Sequence, residues 1–170
     1  MPVRTFRILG IDASLRSSGI GVIEAKGSSL TSIFFGRVHN KSTFSHSECL
    51  KYIYEVISEV ISEYRPDCVA IEGAFFSKNA KTAMILGQAR GVAIAACAKA
   101  SLPVTEHSPR KVKQAITGSG SAQKDQVAKM VMQILGLKEQ PQEDEADALG
   151  IAICHYHQLN LPEALRSPLV

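Results

Sequence analysis

The sequence predicts a single α/β domain built on a mixed five-stranded sheet flanked by helices. Three observations carry that prediction. The N-terminal part holds three short apolar runs separated by polar or glycine-containing turns, the pattern of an antiparallel meander. An amphipathic stretch then leads into another short apolar run, as in a helical crossover to a parallel strand. The chain's 170 residues suit one core of ordinary size, and no repeat or low-complexity linker divides them.

The elements follow in order. Thr5–Ala13 is a buried strand carrying Phe6, Ile8, Leu9 and Ile11 and closing on Asp12. Ser14–Gly19 is a polar turn, Ile20–Ala25 a second strand, Lys26–Ser29 a turn and Leu30–Val38 a third strand. Ser45–Tyr64 has helical spacing through Leu50, Ile53, Tyr54, Ile57, Val60 and Ile61, and stops before Arg65-Pro66 because proline disfavours helix in the residue before it. Asp67–Glu72 is a short strand that again ends in a carboxylate. Asn79–Ala100 is a long helix and Leu102–Glu106 a strand. Ser108-Pro109 is a good N-cap and first-turn pair for a helix to about Thr117, followed by a flexible Gly118–Ser121 connection. Helices at Ala122–Leu135 and Pro141–His157 complete the domain, which is expected to span 1–158 with 159–170 as a tail.

Composition narrows the class. The chain is 45% hydrophobic and 21% charged, ordinary for a globular protein and unlike disordered or fibrous sequences. Its start lacks the apolar core and cleavage site of a secretory signal, so a cytoplasmic location is expected. The most apolar window, Thr82 to Ala100, is interrupted by Gln88, Arg90 and Lys99, which argues against a membrane span. Four cysteines without a CxxC pair make neither a zinc framework nor a disulfide scaffold.

The formal charge of +3 conceals an asymmetry. Residues 73–133 carry nine basic and two acidic side chains, whereas 134–150 carry one basic and five acidic ones. This is either a polyanion surface beside a cation-binding point or simply two solvated faces.

The acids carry the chemistry. Asp12 and Glu72 end apolar strands, and in open α/β sheets sites form at the carboxyl ends of strands. Asp144 and Asp147 lie three residues apart at the start of the last helix, on one helical face. If the four converge, their repulsion calls for a hard divalent cation such as Mg²⁺ or Mn²⁺. Two ions about 3.5–4 Å apart would suit phosphodiester hydrolysis. The alternative is that Asp144 decorates a helix N-terminus and Asp12 caps a turn. The histidines receive no catalytic role: His155 and His157, two apart on a helix, point away from each other.

Four segments, ILGIDASLRSSGIGV, AIEGAFFSKNAKTAMILGQARGVAI, PRKVKQAITGSGSAQKDQV and DEADALGIAICHYH, together resemble the RuvC-type Holliday-junction resolvases, in order across roughly Arg7 to His157. The resemblance implies an RNase H-like fold. It also implies a homodimer that nicks two opposing strands of a four-way DNA junction, in recombination and repair, using Mg²⁺. Carried over by residue, it makes Asp12, Glu72, Asp144 and Asp147 metal ligands and catalytic groups, with two Mg²⁺ ions that Mn²⁺ can replace. It sets Lys113 and Lys124 near the scissile region and Phe75 against DNA bases. The family usually has Asp-Pro-Gly where this chain has Asp12-Ala13-Ser14, which opens the question of what stiffens that turn.

Around those residues, Phe75 and Phe76 read as base-stacking groups, with a core role as the alternative for Phe76. Lys78, Lys81, Arg110 and Lys111 read as phosphate contacts. A four-residue period of small side chains, Ala83, Gly87, Gly91 and Ala95, lets another backbone approach; the partner is either the protein's own sheet or a second subunit, with Gln88 and Arg90 nearby. The resemblance also brings in the RuvA–RuvB branch-migration complex as a partner. Two other readings compete: an RNase H-fold nuclease acting on another branched DNA or RNA, and a junction-binding module without catalysis. An actin-like ATPase is disfavoured by the short chain and the lack of a second phosphate motif.

Overall fold

The computed structural model describes residues 5–73 and 79–170. Its sheet has five strands in the order β3-β2-β1-β4-β5. β1 (Thr5–Asp12), β2 (Ser17–Lys26) and β3 (Ser29–His39) form the antiparallel meander, and β4 (Cys68–Glu72) and β5 (Val104–His107) add in parallel on the other side of β1. The helices are α1 (His46–Tyr64), α2 (Ala80–Lys99), α3 (Pro109–Thr117), α4 (Lys124–Leu135) and α5 (Glu143–Leu159).

Local chemistry sets the helix ends. Ser45 accepts from Glu48 N at 3.3 Å while Glu48 accepts from Ser45 N at 2.7 Å, a capping box that starts α1. Arg65, at φ 47°, ends it. Ser108 accepts from Lys111 N at 3.3 Å to start α3, with Pro109 in the first turn.

The period of two along each strand divides the core into two layers. On one face Leu9, Ile11, Ile20, Val22, Val69 and Ile71 pack against Ile53, Ile57 and Val60 of α1 and Ala89, Ala93 and Cys97 of α2. On the other, Ile8, Ile23, Cys68 and Ala70 pack against α3, α4 and α5. α5 is the deepest element, with every residue from Ala148 to His155 buried. It can lie on the sheet because Gly10 and Gly19 leave room: a Cβ at Gly10 would strike the Ala148 carbonyl, and one at Gly19 the Asp144 carbonyl.

Several boundaries differ from the sequence expectation. β2 begins at Ser17, inside the expected polar turn, because Ser17 and Ser18 pair with His39 and Val38. β5 begins at Val104 and runs to His107; Leu102 belongs to the helix exit, where Ser101 adopts φ 58° and Leu102 N donates to Cys97 O. α4 and α5 start two residues later than expected, at Lys124 and Glu143, and α5 continues to Leu159. Gly118–Ser121 is a hydrogen-bonded turn in which Thr117, Ser119 and Ser121 bond one another. The last residues return to the edge of β5, where Val170 N donates to Val104 O at 2.9 Å. Among the described residues no helix is long and apolar enough to cross a membrane.

Candidate active site

The alternation that builds the core also aims the acids. Gly10 and Ala70 face α5, so Asp12 and Glu72, two residues further along adjacent parallel strands, face the same way. α5 begins over these strand ends, and its first turns carry Asp144 and Asp147. Asp12, Glu72 and Asp147 line one cleft of about 320 Å³, together with Lys113 of α3 and Lys124 of α4. A second cleft of about 170 Å³ lies along α2, again walled by Asp12 and Glu72.

The electrostatics mark one cluster. Burial, then the charges of Glu72, Asp147 and Asp144, push the Asp12 carboxyl up to about 7. Burial also raises Glu72 and Asp147, with Asp147 acting on Glu72 in the same sense, while Lys124 and Lys113 oppose the rise in both. Lys124 Nζ pairs with Glu143 and lies 3.9 Å from Asp147 Oδ2. Asp144 Oδ2 accepts from the Ser17 hydroxyl.

Among the described residues no three His, Cys, Asp or Glu side chains are already gathered in ligating geometry. The donor set nonetheless fits a hard cation. It is all oxygen, its members disfavour one another's ionised forms, and three of them open onto a common cleft.

The turn after Asp12 is pinned without proline or glycine. Ser14 N donates to Ser18 Oγ at 2.9 Å, and Ser18 Oγ donates to Ser14 O at 2.5 Å. Buried Asn40 donates from Nδ2 to Leu15 O at 2.6 Å and from its backbone to Arg16 O at 3.0 Å. Hydrogen bonds from β2 and the end of β3 thus supply the stiffness.

Of the remaining expected residues, Lys81, Arg110 and Lys111 are exposed and line neither cleft; Lys111 Nζ lies 3.4 Å from Ser167 Oγ. Phe75, Phe76 and Lys78 lie outside the described residues. Gly87, Gln88 and Gly91 are exposed and Ala83 is half-buried. Among the described residues nothing lies within 4 Å of a Cβ built at Gly87 or Gly91, so the small-residue seam does not rest on the protein's own sheet. Arg90 points inward, donating from Nε to Glu72 O at 3.2 Å and pairing with Glu106. His107 and His155 are buried and bonded to each other, Nε2 to Nδ1 at 3.0 Å.

Sequence reasoning missed Ser17, Glu143 and the Arg90–Glu106 pair. Ser17 sits in a polar run that reads as a turn, and Arg90 meets Glu72 only through the packing of α2 on the sheet.

A five-stranded mixed sheet with acids at the ends of its central strands, overlaid by an acid-bearing helix, defines an RNase H-like α/β protein. The family model described as "Crossover junction endodeoxyribonuclease RuvC" matches residues 8–155. The chain belongs to that family. It is 48% identical over 151 residues to a crossover junction endodeoxyribonuclease RuvC of Caldicellulosiruptor saccharolyticus, covering 88% of this chain and 91% of the relative. The same protein of Geobacter sulfurreducens is 45% identical over 161 residues, covering 95% and 98%. A solved structure, T. thermophilus RuvC in complex with Holliday junction substrate, superposes with a TM-score of 0.89 at 33% identity, over 97% of this chain and 99% of that one. Membership in this nuclease family implies dependence on a divalent metal.

Proposed function

We infer that the chain is a Mg²⁺-dependent, structure-selective endonuclease that resolves Holliday junctions by paired symmetric nicks in recombination and repair. The observation that carries this reading is the cleft in which Asp12, Glu72 and Asp147 meet Lys113 and Lys124, with Asp144 beside it. A bare phosphate-binding surface has no use for such acids, since they oppose the approach of DNA.

In this reading the four carboxylates hold two Mg²⁺ ions, for which Mn²⁺ can substitute. Bound there, the metal would supply a water of lowered pKa and charge neutralisation at the phosphorus. The chain's own groups do the rest. Lys113 and Lys124 stand on the cleft wall opposite the sheet, where they balance charge that builds on the phosphate oxygens. Lys124 pairs with Glu143 and lies 3.9 Å from Asp147 Oδ2, contacts that draw its largely exposed side chain toward the cleft. Attack in line leaves a 5′-phosphate and a nick that a ligase can close.

Further from the chemistry, Phe75 and Phe76 engage bases near the crossover, and Lys78, Lys81, Arg110 and Lys111 contact phosphates. The exposed seam of α2 joins two copies into a homodimer, whose twofold axis matches that of the junction and sets two sites on opposite strands. The enzyme works in the cytoplasm as a domain spanning 1–158 with a short tail, alongside a RuvA–RuvB-type branch-migration complex.

The test is cleavage of a labelled four-way junction with and without Mg²⁺, beside linear duplex and Asp12→Asn. Symmetric nicks on the junction alone, abolished by the substitution, are expected. Tight junction binding without nicks under varied metals and junction sequences would leave a binding module instead.

A further inference from the structure

We propose that Arg90 is a positioning residue for Glu72, clamping the end of β4 from the α2 side with Glu106 as its counter-ion. The proposal rests on the reading of the acidic cluster given above and concerns how one of its members is held.

Glu72 occupies an exposed place in the ladder. The parallel pairing of β4 with β1 ends at Ile11 and Ile71, so Glu72 lies one residue beyond it. On the β5 side the chain is held past that point, since Gly73 N donates to His107 O at 2.8 Å. The Glu72 carbonyl has a different donor, Arg90 Nε at 3.2 Å, which reaches it from the middle of α2. The strand end is therefore fixed from two directions, by β5 and by a helix on the opposite face from α5.

Glu106 completes the clamp. Along β5 it shares the face of Val104, which packs in the α1/α2 layer, and there it pairs with the Arg90 guanidinium. Its carboxylate lies against the backbone of residue 73: a Cβ built at Gly73 would come within 2.7 Å of Glu106 Oε1. The guanidinium fork thus spans two strands, one through a carbonyl and one through a side chain. A lysine has the charge but not the rigid fork, and cannot reproduce both bonds in one fixed geometry.

The clamp adds little net charge to the acidic cluster, because Glu106 neutralises Arg90 locally. The cations acting on the Glu72 carboxylate are Lys124 and Lys113. Arg90 instead acts through the backbone, fixing the point from which the Glu72 side chain reaches its cleft. Its side chain is 21% exposed, and its bonds to Glu72 O and Glu106 both run to groups of its own protomer.

The experiment uses full-length protein carrying Arg90→Gln, Arg90→Lys, Glu106→Gln or Glu72→Gln. It reads Mn²⁺ affinity by calorimetry without DNA, kcat and KM on the junction, mass by sedimentation, and thermal unfolding. Loss of a group that orients a metal ligand costs about 10–100-fold in metal affinity or activity. Arg90→Gln and Arg90→Lys are expected to lower Mn²⁺ affinity and kcat by about that range, with KM and mass unchanged. Glu106→Gln should act in the same direction by less. Should Arg90→Gln not fold, Arg90→Lys and Glu106→Gln decide. Unchanged Mn²⁺ affinity and kcat in these folded variants would overturn the clamp, as would a loss confined to KM or to mass. Wild-type protein that binds no Mn²⁺, and so is indistinguishable from Glu72→Gln, would overturn the acidic-cluster reading and the clamp with it.

Discussion

The two faces of the sheet are covered by helices of opposite character. α5 is buried over eight consecutive residues, Ala148 to His155, with its backbone seated directly on Gly10 and Gly19. α2 buries only Ala89, Ala93, Ala96 and Cys97 and leaves Gly87, Gln88, Gly91 and Met84 in the open, Met84 at 67% exposure. Among the described residues, one helix is enclosed by its own protomer and the other is only half covered. The enclosed helix itself carries Asp144 and Asp147, whereas the half-covered face reaches the site only through Arg90 at the end of β4 and has, among the described residues, surface to spare for a second copy. Substitutions on the two faces should therefore fail differently.

The largest effect is expected on the enclosed face. In Gly10→Val the new side chain meets backbone, the Ala148 carbonyl and the Ala152 nitrogen, and no flexible side chain can yield. Overpacking of a core costs roughly 1–3 kcal/mol, and a backbone collision belongs at the top of that range or beyond it. The denaturant midpoint should fall sharply and cleavage should vanish with the fold. An unfolding free energy within about 0.5 kcal/mol of wild type would mean that α5 can lift off the sheet without loss.

Next is Lys124→Ala, which leaves both faces intact and removes a cation from the cleft between them. Deleting one group that stabilises transition-state charge costs about 10²–10³ in kcat. A loss of that order in kcat with junction affinity preserved is expected in single-turnover and binding assays. A loss of affinity alone would reassign Lys124 to phosphate binding.

How much of this could be read beforehand follows from the range of each signal. Strand-end acids announce themselves locally: the apolar runs ending at Asp12 and Glu72 and the three-residue spacing of Asp144 and Asp147 place all four where the structure has them, at the β1 and β4 ends and the start of α5. Ser17 was illegible because its bond to Asp144 joins residues 127 apart. The strand character of Ser17 and Ser18 was hidden for a related reason, since two serines look like a turn until β3 supplies partners. Arg90 reads from the sequence only as a neighbour of the small-residue seam, beside a second subunit or the sheet. Only the register of α2 on the sheet turns it inward, and helix register is a property of packing.

The His107–His155 pair tests the enclosed face by pH. Burial holds both rings down to about 4; His155 adds to this for His107, as does Lys111, and Ser167 lies beyond at 3.4 Å. Both rings are therefore neutral in the folded protein where the unfolded chain, at about 6.5, begins to take up protons. The stability they contribute is fully present above about 6.5 and is lost as pH falls toward 4, at up to about 1.4 kcal/mol per pH unit for each proton gained on unfolding. Asp12, Glu72 and Asp147, with raised values, act in the opposite sense. The histidine share is thus the difference between wild type and His155→Gln. The variant should regain stability relative to wild type between pH 7 and 5, and a pH-independent difference would remove the pair from the account.

The smallest effect is the most discriminating one for the half-covered face. Gly87 and Gly91 sit inside a helix and, among the described residues, have open space where a methyl would go. Alanine there reduces the entropy lost on folding, and each substitution should stabilise the lone protomer by roughly 0.5–1 kcal/mol. If the seam seats a second copy, the same methyls hold the two backbones apart and weaken association. The sign of the change in stability then depends on protein concentration: a gain under dilute conditions, where protomers are separate, and a loss where the wild type is dimeric. Thermal unfolding of Gly87→Ala/Gly91→Ala across a dilution series, with sedimentation at each concentration, reads both. A gain at every concentration with unaltered mass would show that the open seam of α2 has no partner and that the twofold contact lies elsewhere.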